Sequence, residues 1–295
     1  MLTHGPQSVT FLRVRNLDPM RKERRQMDGA HLKALRCPKC SAGFPPQGVL
    51  IGEESLEEGA IVCQKGHVWP VEAGIPSLVY PPLSEEDTRW IAEYDQMAPT
   101  YDESVATYSD FLGVDLDEER KNIAHLVPIE GSVRILDVSV GTGANFSSLN
   151  SVFKGKMGRF NLHGIDVSKG MLQVAKEKAL KGGYTVSLTH GSVFNLPYPK
   201  DSFDLILHSG GINTFSDIPL ALTEMLRVVR PGGNVVVIDE GLSPQKRDTP
   251  EGQAIMKANS LFASHPPLKY IPDRAKNVEV TYIMNEAFYQ IMFSK

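Results

Sequence analysis

The sequence is short of cysteine. Only Cys37, Cys40 and Cys63 occur in 295 residues. An odd number leaves a thiol over in any disulfide framework, and the spacing points instead to a metal site in a reducing, cytoplasmic setting. Long apolar runs are also missing: none reaches the roughly 18 residues that a membrane span needs. The N-terminus lacks the charged-then-apolar layout of a secretory signal. Excess charge of one sign is absent, the formal net charge being −4, so the whole chain does not advertise nucleic-acid binding, although a local basic patch stays open. What remains is 41% hydrophobic and 22% charged, an ordinary soluble composition. The length suffices for one full α/β domain and a small second module.

The chain is organised around Ile135-Leu-Asp-Val-Ser-Val-Gly-Thr-Gly143. The apolar run 133–138 reads as a buried strand of a parallel sheet. It carries Asp137 near its end and breaks into Gly141-Thr142-Gly143, where a helical pattern begins. Strand, glycine turn and helix in that order form a nucleotide-binding corner. A dinucleotide site would prefer a third small residue where Phe146 stands, so the loop suits a ligand without a pyrophosphate.

Later segments extend the pattern. A second strand, 159–166, ends in Asp166, 23 residues after Gly143, and an acid there accepts hydrogen bonds from ribose hydroxyls. Ser168 then caps a helix, with Met171 one turn in, placed to meet an adenine face. A third strand runs from Val186 into Gly191-Ser192-Val193. A fourth strand, within 202–211, carries His208 and opens into the turn Ser209-Gly210-Gly211. After a helix over 218–229, Asn234 to Asp239 forms a fifth strand. Segments 278–283 and 288–293 read as a closing hairpin around Asn285-Glu286. Further helices are expected over 116–127 and near 253–263.

Ahead of this lies a Cys-Pro-Lys-Cys knuckle, Cys37 and Cys40, followed after 22 residues by Cys63-Gln-Lys-Gly-His67. All three cysteines fall in this set. Read as ligands, Cys37, Cys40, Cys63 and His67 would close a tetrahedron around a structural zinc; read blandly, the cysteines are small buried hydrophobes and His67 a surface residue. A hairpin carrying Val49-Leu-Ile51 and a Glu-rich bend over 53–58 fills the interval. Pro81-Pro82 marks a linker. Three segments follow: a leader over 1–30, with a charged cluster at Arg21–Arg25 that is either an RNA-binding arm or a solvated tail; a zinc ribbon over 31–83; and an α/β domain over 84–295.

From Ser84, an expected N-cap, the pattern is helical, with Trp90, Tyr94 and Met97 spaced for one face. The segment Tyr94-Asp-Gln-Met-Ala-Pro-Thr-Tyr101-Asp102 repeats a Tyr-Asp pair.

Taken together, Leu-Asp-Val-x-x-Gly-x-Gly, Gly-Ile-Asp-x-Ser-x-x-Met-Leu, Gly-Ser-Val-x-x-Leu-Pro-Tyr, Ser-Phe-Asp-Leu-Ile and Leu-Arg-Val-Val-Arg-Pro-Gly-Gly resemble the class I S-adenosylmethionine-dependent methyltransferases over roughly residues 85 to 295. The Tyr-Asp segment resembles the lid of the ubiquinone/menaquinone C-methyltransferases. The cysteine module is similar to the zinc ribbons that activate several methyltransferases, and to the zinc finger of the rRNA guanine-N1 methyltransferases. The resemblance implies a Rossmann-like, seven-stranded, mostly parallel sheet with helices on both faces and an antiparallel last strand. It implies S-adenosyl-L-methionine as cofactor, with Gly141 and Gly143 under the homocysteine and ribose, Asp137 meeting the amino-acid end or bracing the loop, and Asp166 on the ribose diol. Ser192 and Val193 would flank adenine, Tyr101 would cover the site, and His208 would line the cleft beside the methyl group as a candidate catalytic residue, with Asp239-Glu240 as further acceptor contacts. Two departures stand out. Val140 occupies a position where relatives carry a small residue, and Ser192 stands where many carry Asp.

The favoured activity is methyl transfer to a small-molecule acceptor. RNA base methylation, with the ribbon and Lys33, Arg36, Lys39 and Lys65 presenting the substrate, is the first alternative; a non-catalytic partner of another methyltransferase is the second. The fourth strand ends in His-Ser-Gly-Gly rather than the Asn-Pro-Pro-Tyr of amino-group methylases.

Overall fold

The computed structural model describes residues 29–46, 49–51, 58–128 and 130–295. The Arg21–Arg25 cluster, nearly all of the expected leader and most of the Glu-rich bend lie outside the described residues.

Seven strands form the main sheet: β5 (Val133–Val138), β6 (Phe160–Asp166), β7 (Ser187–His190), β8 (Phe203–Ser209), β9 (Val229–Glu240), β10 (Lys276–Ile283) and β11 (Phe288–Ser294). Their spatial order is β10-β11-β9-β8-β5-β6-β7. The five strands from β9 to β7 run parallel, while β11 inserts antiparallel between β9 and β10. The Rossmann-like architecture expected from the sequence is therefore present. The near-continuous apolar runs are explained by burial on both faces: β5 and β8 are buried along almost their whole length, as strands covered by helices on each side must be. Strand order reverses at β5 and β8, so a crevice opens beyond their carboxyl ends.

Local signals behave as the sequence suggests at several ends. Ser84 Oγ accepts from Asp87 N at 3.0 Å to start the Glu85–Met97 helix. Ser168 Oγ accepts from Met171 N at 3.0 Å to start Lys169–Gly182. The helix expected over 116–127 is instead a short α-helix, Leu116–Arg120, followed by a 3₁₀ segment, Lys121–Leu126. Three residues per turn lines Ile123 up with Leu126, and both pack on the core. The stretch near 253–263 is likewise split, into Pro250–Ala258 and the 3₁₀ turn Ser260–Ala263.

The cysteine module is a second, four-stranded antiparallel sheet, β1 (Val49–Ile51), β2 (Gly59–Val62), β3 (Val68–Glu72) and β4 (Ile75–Pro76), in that order. It is seated on β7. Ser77 bridges His190 in parallel, and Leu78 N donates to His190 O at 2.7 Å. Arg36 N donates to Pro197 O at 2.8 Å. Asn195 Nδ2 reaches two carbonyls of the module, Pro38 O at 3.0 Å and Tyr80 O at 2.9 Å. Leu35, Cys37, Ile61, Cys63 and Leu78 share one buried cluster with Val193, Leu196 and Tyr198. Each such aliphatic side chain stabilises the joint by about 1.5–3 kcal/mol, so the module and the main sheet have a common core.

Candidate active site and metal centre

The cleft lies at the carboxyl ends of β5, β6, β8 and β9, roofed by the helices Glu85–Met97 and Tyr101–Leu112. Its floor is the loop after β5. Ser139, Gly141 and Gly143 all have positive φ, at 57°, 53° and 77°, which turns the loop sharply enough to aim its backbone at the cleft. At Gly143 a Cβ would meet Ala175 Cβ at 3.3 Å, so that glycine lets two helices approach beneath the loop.

Six of the nine expected site residues line this one cleft: Tyr101, Gly141, Asp166, Met171, Ser192 and Val193. Asp166 is buried at the tip of β6. Its Oδ2 accepts from Gly141 N at 2.8 Å and its Oδ1 from Ser168 N at 2.9 Å. Burial pushes its pKa up, opposed by these amides. The amides also fix the carboxylate's orientation, and each oxygen retains a further lone pair for a ligand. Ser192 Oγ is spent on a turn, accepting from Phe194 N at 3.1 Å. Val140, singled out for its bulk, packs its side chain into the core, where a Cβ on Gly164 would come 3.0 Å from it.

The other three are absent from the cleft wall. Asp137 is 1% exposed; its two oxygens accept from Asn145 Nδ2 at 3.3 and 3.1 Å, which is the bracing role. Burial raises its pKa well above the ordinary carboxylate value. Gly143 supports the helix packing just described. His208 does not line the cleft beside a methyl group as expected. The strand still runs there, and the ring is buried with its centroid 5.1 Å from that of Phe215, while Ser209, Gly210 and Gly211 form the wall. His208 Nδ1 lies 2.9 Å from Val138 O and so carries the proton, since a carbonyl only accepts. Burial lowers its pKa to about 4, which keeps the ring neutral.

The repeated Tyr-Asp pair has a divided task. Tyr94 and Tyr101 face the cleft with ring centroids 6.2 Å apart. Burial raises the pKa of both, Tyr101 to about 12, so both stay phenols. Their neighbouring acids tie the roof down. Asp95 Oδ1 accepts from Ser168 Oγ at 2.6 Å and from Gly170 N at 2.9 Å. Asp102 binds the glycine loop and the helix behind it. Trp90 shares the cleft-facing side, whereas Met97 is 43% exposed and does not.

Sequence reasoning missed Arg120, Thr142 and Asn145, all on the lining. Thr142 sits inside the glycine motif and Asn145 four residues after Gly141, positions a loop-and-helix reading reaches. Arg120 sits in the run Asp117-Glu-Glu-Arg-Lys, which looks like a solvated helix face. At the far end of the cleft are Asp239 and Glu240, at the tip of β9. Asp239 is fully buried; its oxygens accept from Asn213 N at 2.9 Å and Glu240 N at 2.8 Å. Burial, then the neighbouring Glu240, hold its pKa well above the usual range.

In the ribbon, Cys37, Cys40, Cys63 and His67 offer ligand atoms that all lie within 4.8 Å of one another. Cys40 Sγ is 3.8 Å from Cys63 Sγ, and His67 Nδ1 is 3.5 Å from both Cys37 Sγ and Cys63 Sγ. Tetrahedral zinc bonds imply edges of about 3.8 Å between sulfurs and about 3.6 Å from sulfur to nitrogen. The donor set and spacing fit such an ion.

The strand order, the glycine turn and the ribose-type acid define the fold of the class I S-adenosylmethionine-dependent methyltransferases. A solved structure of phosphoethanolamine N-methyltransferase 2 from Haemonchus contortus shares it, with a TM-score of 0.53 at 15% identity over 77% of this chain and 63% of that one. Residues 89–247 match the model of the ubiE/COQ5 methyltransferase family, and the chain belongs to that family. A demethylmenaquinone methyltransferase of Listeria monocytogenes is 33% identical over 147 residues, which is 50% of this chain and 60% of the relative. One of the same name from Bacteroides fragilis is 29% identical over 217 residues, 68% of this chain and 83% of the relative. The match thus spans about 60% of the Listeria relative's length. No described helix is long and apolar enough to cross a membrane.

Proposed function

We propose that this protein transfers a methyl group from S-adenosylmethionine to a small aromatic acceptor of the quinol type. The observation that carries the reading is the roofed cleft itself, in which Gly141, Asp166, Met171, Ser192 and Val193 share a wall beneath Tyr94 and Tyr101. Asp166 would hold the ribose hydroxyls, the Gly141 turn would run under the ligand, and Met171, Ser192 and Val193 would enclose adenine. The bound cofactor supplies an electrophilic methyl group on a sulfonium with an excellent leaving group.

The remaining work falls to the chain: alignment and exclusion of water. Tyr94 and Tyr101 present aromatic faces suited to a cation. Leu83, Trp90, Ile91, Phe215 and Leu261 give the other end of the cleft an apolar lining, which suits a ring with a hydrocarbon substituent. Glu240, on the cleft lining, is the candidate acceptor of the proton from a ring hydroxyl; burial favours the neutral form of Asp239 beside it. The curated relatives' name, demethylmenaquinone methyltransferase, supports an acceptor of this class.

We assign residues 31–83 to a ribbon holding a structural zinc through Cys37, Cys40, Cys63 and His67, and 84–295 to the methyltransferase unit. With four protein ligands such an ion has no open position for substrate. Three free thiols at one point suit a reducing, cytoplasmic compartment.

The test is methyl transfer from labelled cofactor to a short-chain demethylmenaquinol, with total RNA as the competing acceptor. Label in the quinol fraction supports the proposal. Label confined to RNA, or failure of S-adenosylhomocysteine to bind, overturns it.

A further inference from the structure

The lining of the cleft is anionic. It carries Asp87, Asp166, Asp239 and Glu240, and among the described residues a single cationic side chain, Arg120. A lone guanidinium in such surroundings calls for an anion that the protein itself does not provide at that end.

The bonding of Arg120 shows how little of it is committed. Among the described residues its one ion pair runs from Nη1 to Asp117 Oδ1 at 2.9 Å, and the Asp117 side chain is 86% exposed where that of Arg120 is only 16% exposed. A pair with so solvated a partner is weak. Arginine has five N–H donors in a planar fork, so most of the fork remains for a ligand.

A second group at the same end lacks a partner. Asn145 is 6% exposed and lines the cleft. Its Nδ2 is directed at Asp137, which turns Oδ1 the other way, and Oδ1 is buried without a hydrogen bond. A buried carbonyl oxygen left unpaired costs about 1–3 kcal/mol, a cost that a ligand N–H would remove. The helix that ends in Arg120, Leu116–Arg120, packs against the helix that carries Asn145, Ala144–Val152. One end of the cleft therefore presents a cation and an orphan acceptor together, a pattern complementary to a zwitterion.

We propose that Arg120 binds the carboxylate of the cofactor's amino-acid moiety, while Asn145 Oδ1 accepts from its ammonium. This rests on the reading that the cleft takes S-adenosylmethionine. It makes Arg120 a binding residue that orients the sulfur chain, leaving recognition of the nucleoside to Asp166 and the adenine wall.

The experiment is calorimetric titration of the full chain and of Arg120→Met and Arg120→Lys with two ligands. S-adenosylhomocysteine carries the amino-acid group; 5′-methylthioadenosine shares the nucleoside and sulfur but lacks it. We expect Arg120→Met to lose about 10- to 100-fold in affinity for S-adenosylhomocysteine and less than about twofold for 5′-methylthioadenosine. Arg120→Lys should recover part of the loss, since it keeps the charge without the fork. Retained 5′-methylthioadenosine binding also shows that the variant is folded. Wild-type affinity for S-adenosylhomocysteine in Arg120→Met overturns the proposal, whether or not the KM for the acceptor rises. Equal losses for both ligands overturn it too, because Arg120 would then only support the roof. If the wild-type chain binds neither ligand, the cofactor reading itself has failed.

Discussion

Thr142 of the glycine loop donates its hydroxyl to Asp102 Oδ1 of the roof at 2.7 Å. Lys178, from the helix behind the loop, closes the triangle: its Nζ is 2.5 Å from Asp102 Oδ2 and 2.9 Å from Thr142 Oγ1. The floor and roof of the cleft are therefore joined at one point. Replacing Asp102 by Asn, or Thr142 by Val, should weaken S-adenosylhomocysteine binding about three- to tenfold and speed amide exchange across residues 94–108. Global stability should change little, because the charges are partly solvated. Unchanged exchange across the roof in both variants would refute the coupling.

Two buried neutral histidines set an acid limit. Burial lowers the pKa of His208 to about 4 and pulls His163 well below its ordinary value of 6.5. The unfolded chain then binds protons that the native state refuses, so this stability is present above about pH 6.5 and is lost as pH falls toward 4. For His208 the loss is on the order of 3 kcal/mol. Asp137, Asp166 and Asp239 have raised pKa values and act in the opposite sense, favouring the native state at low pH and losing that advantage as pH rises. The difference between wild type and His208→Gln isolates the histidine. Urea midpoints measured from pH 7.5 to 4.5 should fall less steeply in the variant; parallel curves would count against it.

Metal removal should be felt beyond the ribbon, because Cys37 and Cys63 belong to the same buried cluster as Tyr198 and Leu196. We expect about one zinc per chain by elemental analysis, and a fall in Tm of several degrees or more on chelation or in Cys40→Ser. A chain without zinc, its Tm indifferent to chelator, would remove the metal from the account.

Asn195 is a further fastening between the cysteine module and the α/β unit. Its amide donates to Pro38 O and Tyr80 O, and each bond is worth about 1 kcal/mol. Asn195→Ala should cost about 1–3 kcal/mol by denaturant unfolding, and Asn195→Asp more, since a carboxylate would face two carbonyls. A change below about 0.5 kcal/mol in both would show that the Asn195 bonds do not help to hold the ribbon.

Much of this architecture was legible because it rests on local rules. A strand buried on both faces reads as an apolar run, as at 135–138; a positive-φ turn demands glycine, as at Gly141; and the gathering of Cys37, Cys40, Cys63 and His67 at one point follows their spacing. What escaped depends on the third dimension. Asp95 and Asp102 read as ordinary helix acids until the roof is seen lying on Ser168 and Thr142. The burial of His208 was equally unreadable, because near the end of a strand a shift of one residue decides whether a side chain faces the cleft or the core. Arg120 was hidden in a charged helix that looks wholly solvated, although its side chain turns inward.

The seating of the cysteine module on β7 has a consequence for how the protein survives at high concentration. An open sheet ends in rows of unpaired N–H and C=O groups that can recruit a strand from another molecule. On one flank, Ser77 and Leu78 occupy that position through their contacts with His190. On the other, β10 turns a mostly exposed surface outward that includes Lys276, Asn277 and Glu279, and charge and polarity discourage such recruitment. A variant that releases the module should therefore uncover a sticky flank, and self-association, rather than unfolding, would be its first symptom.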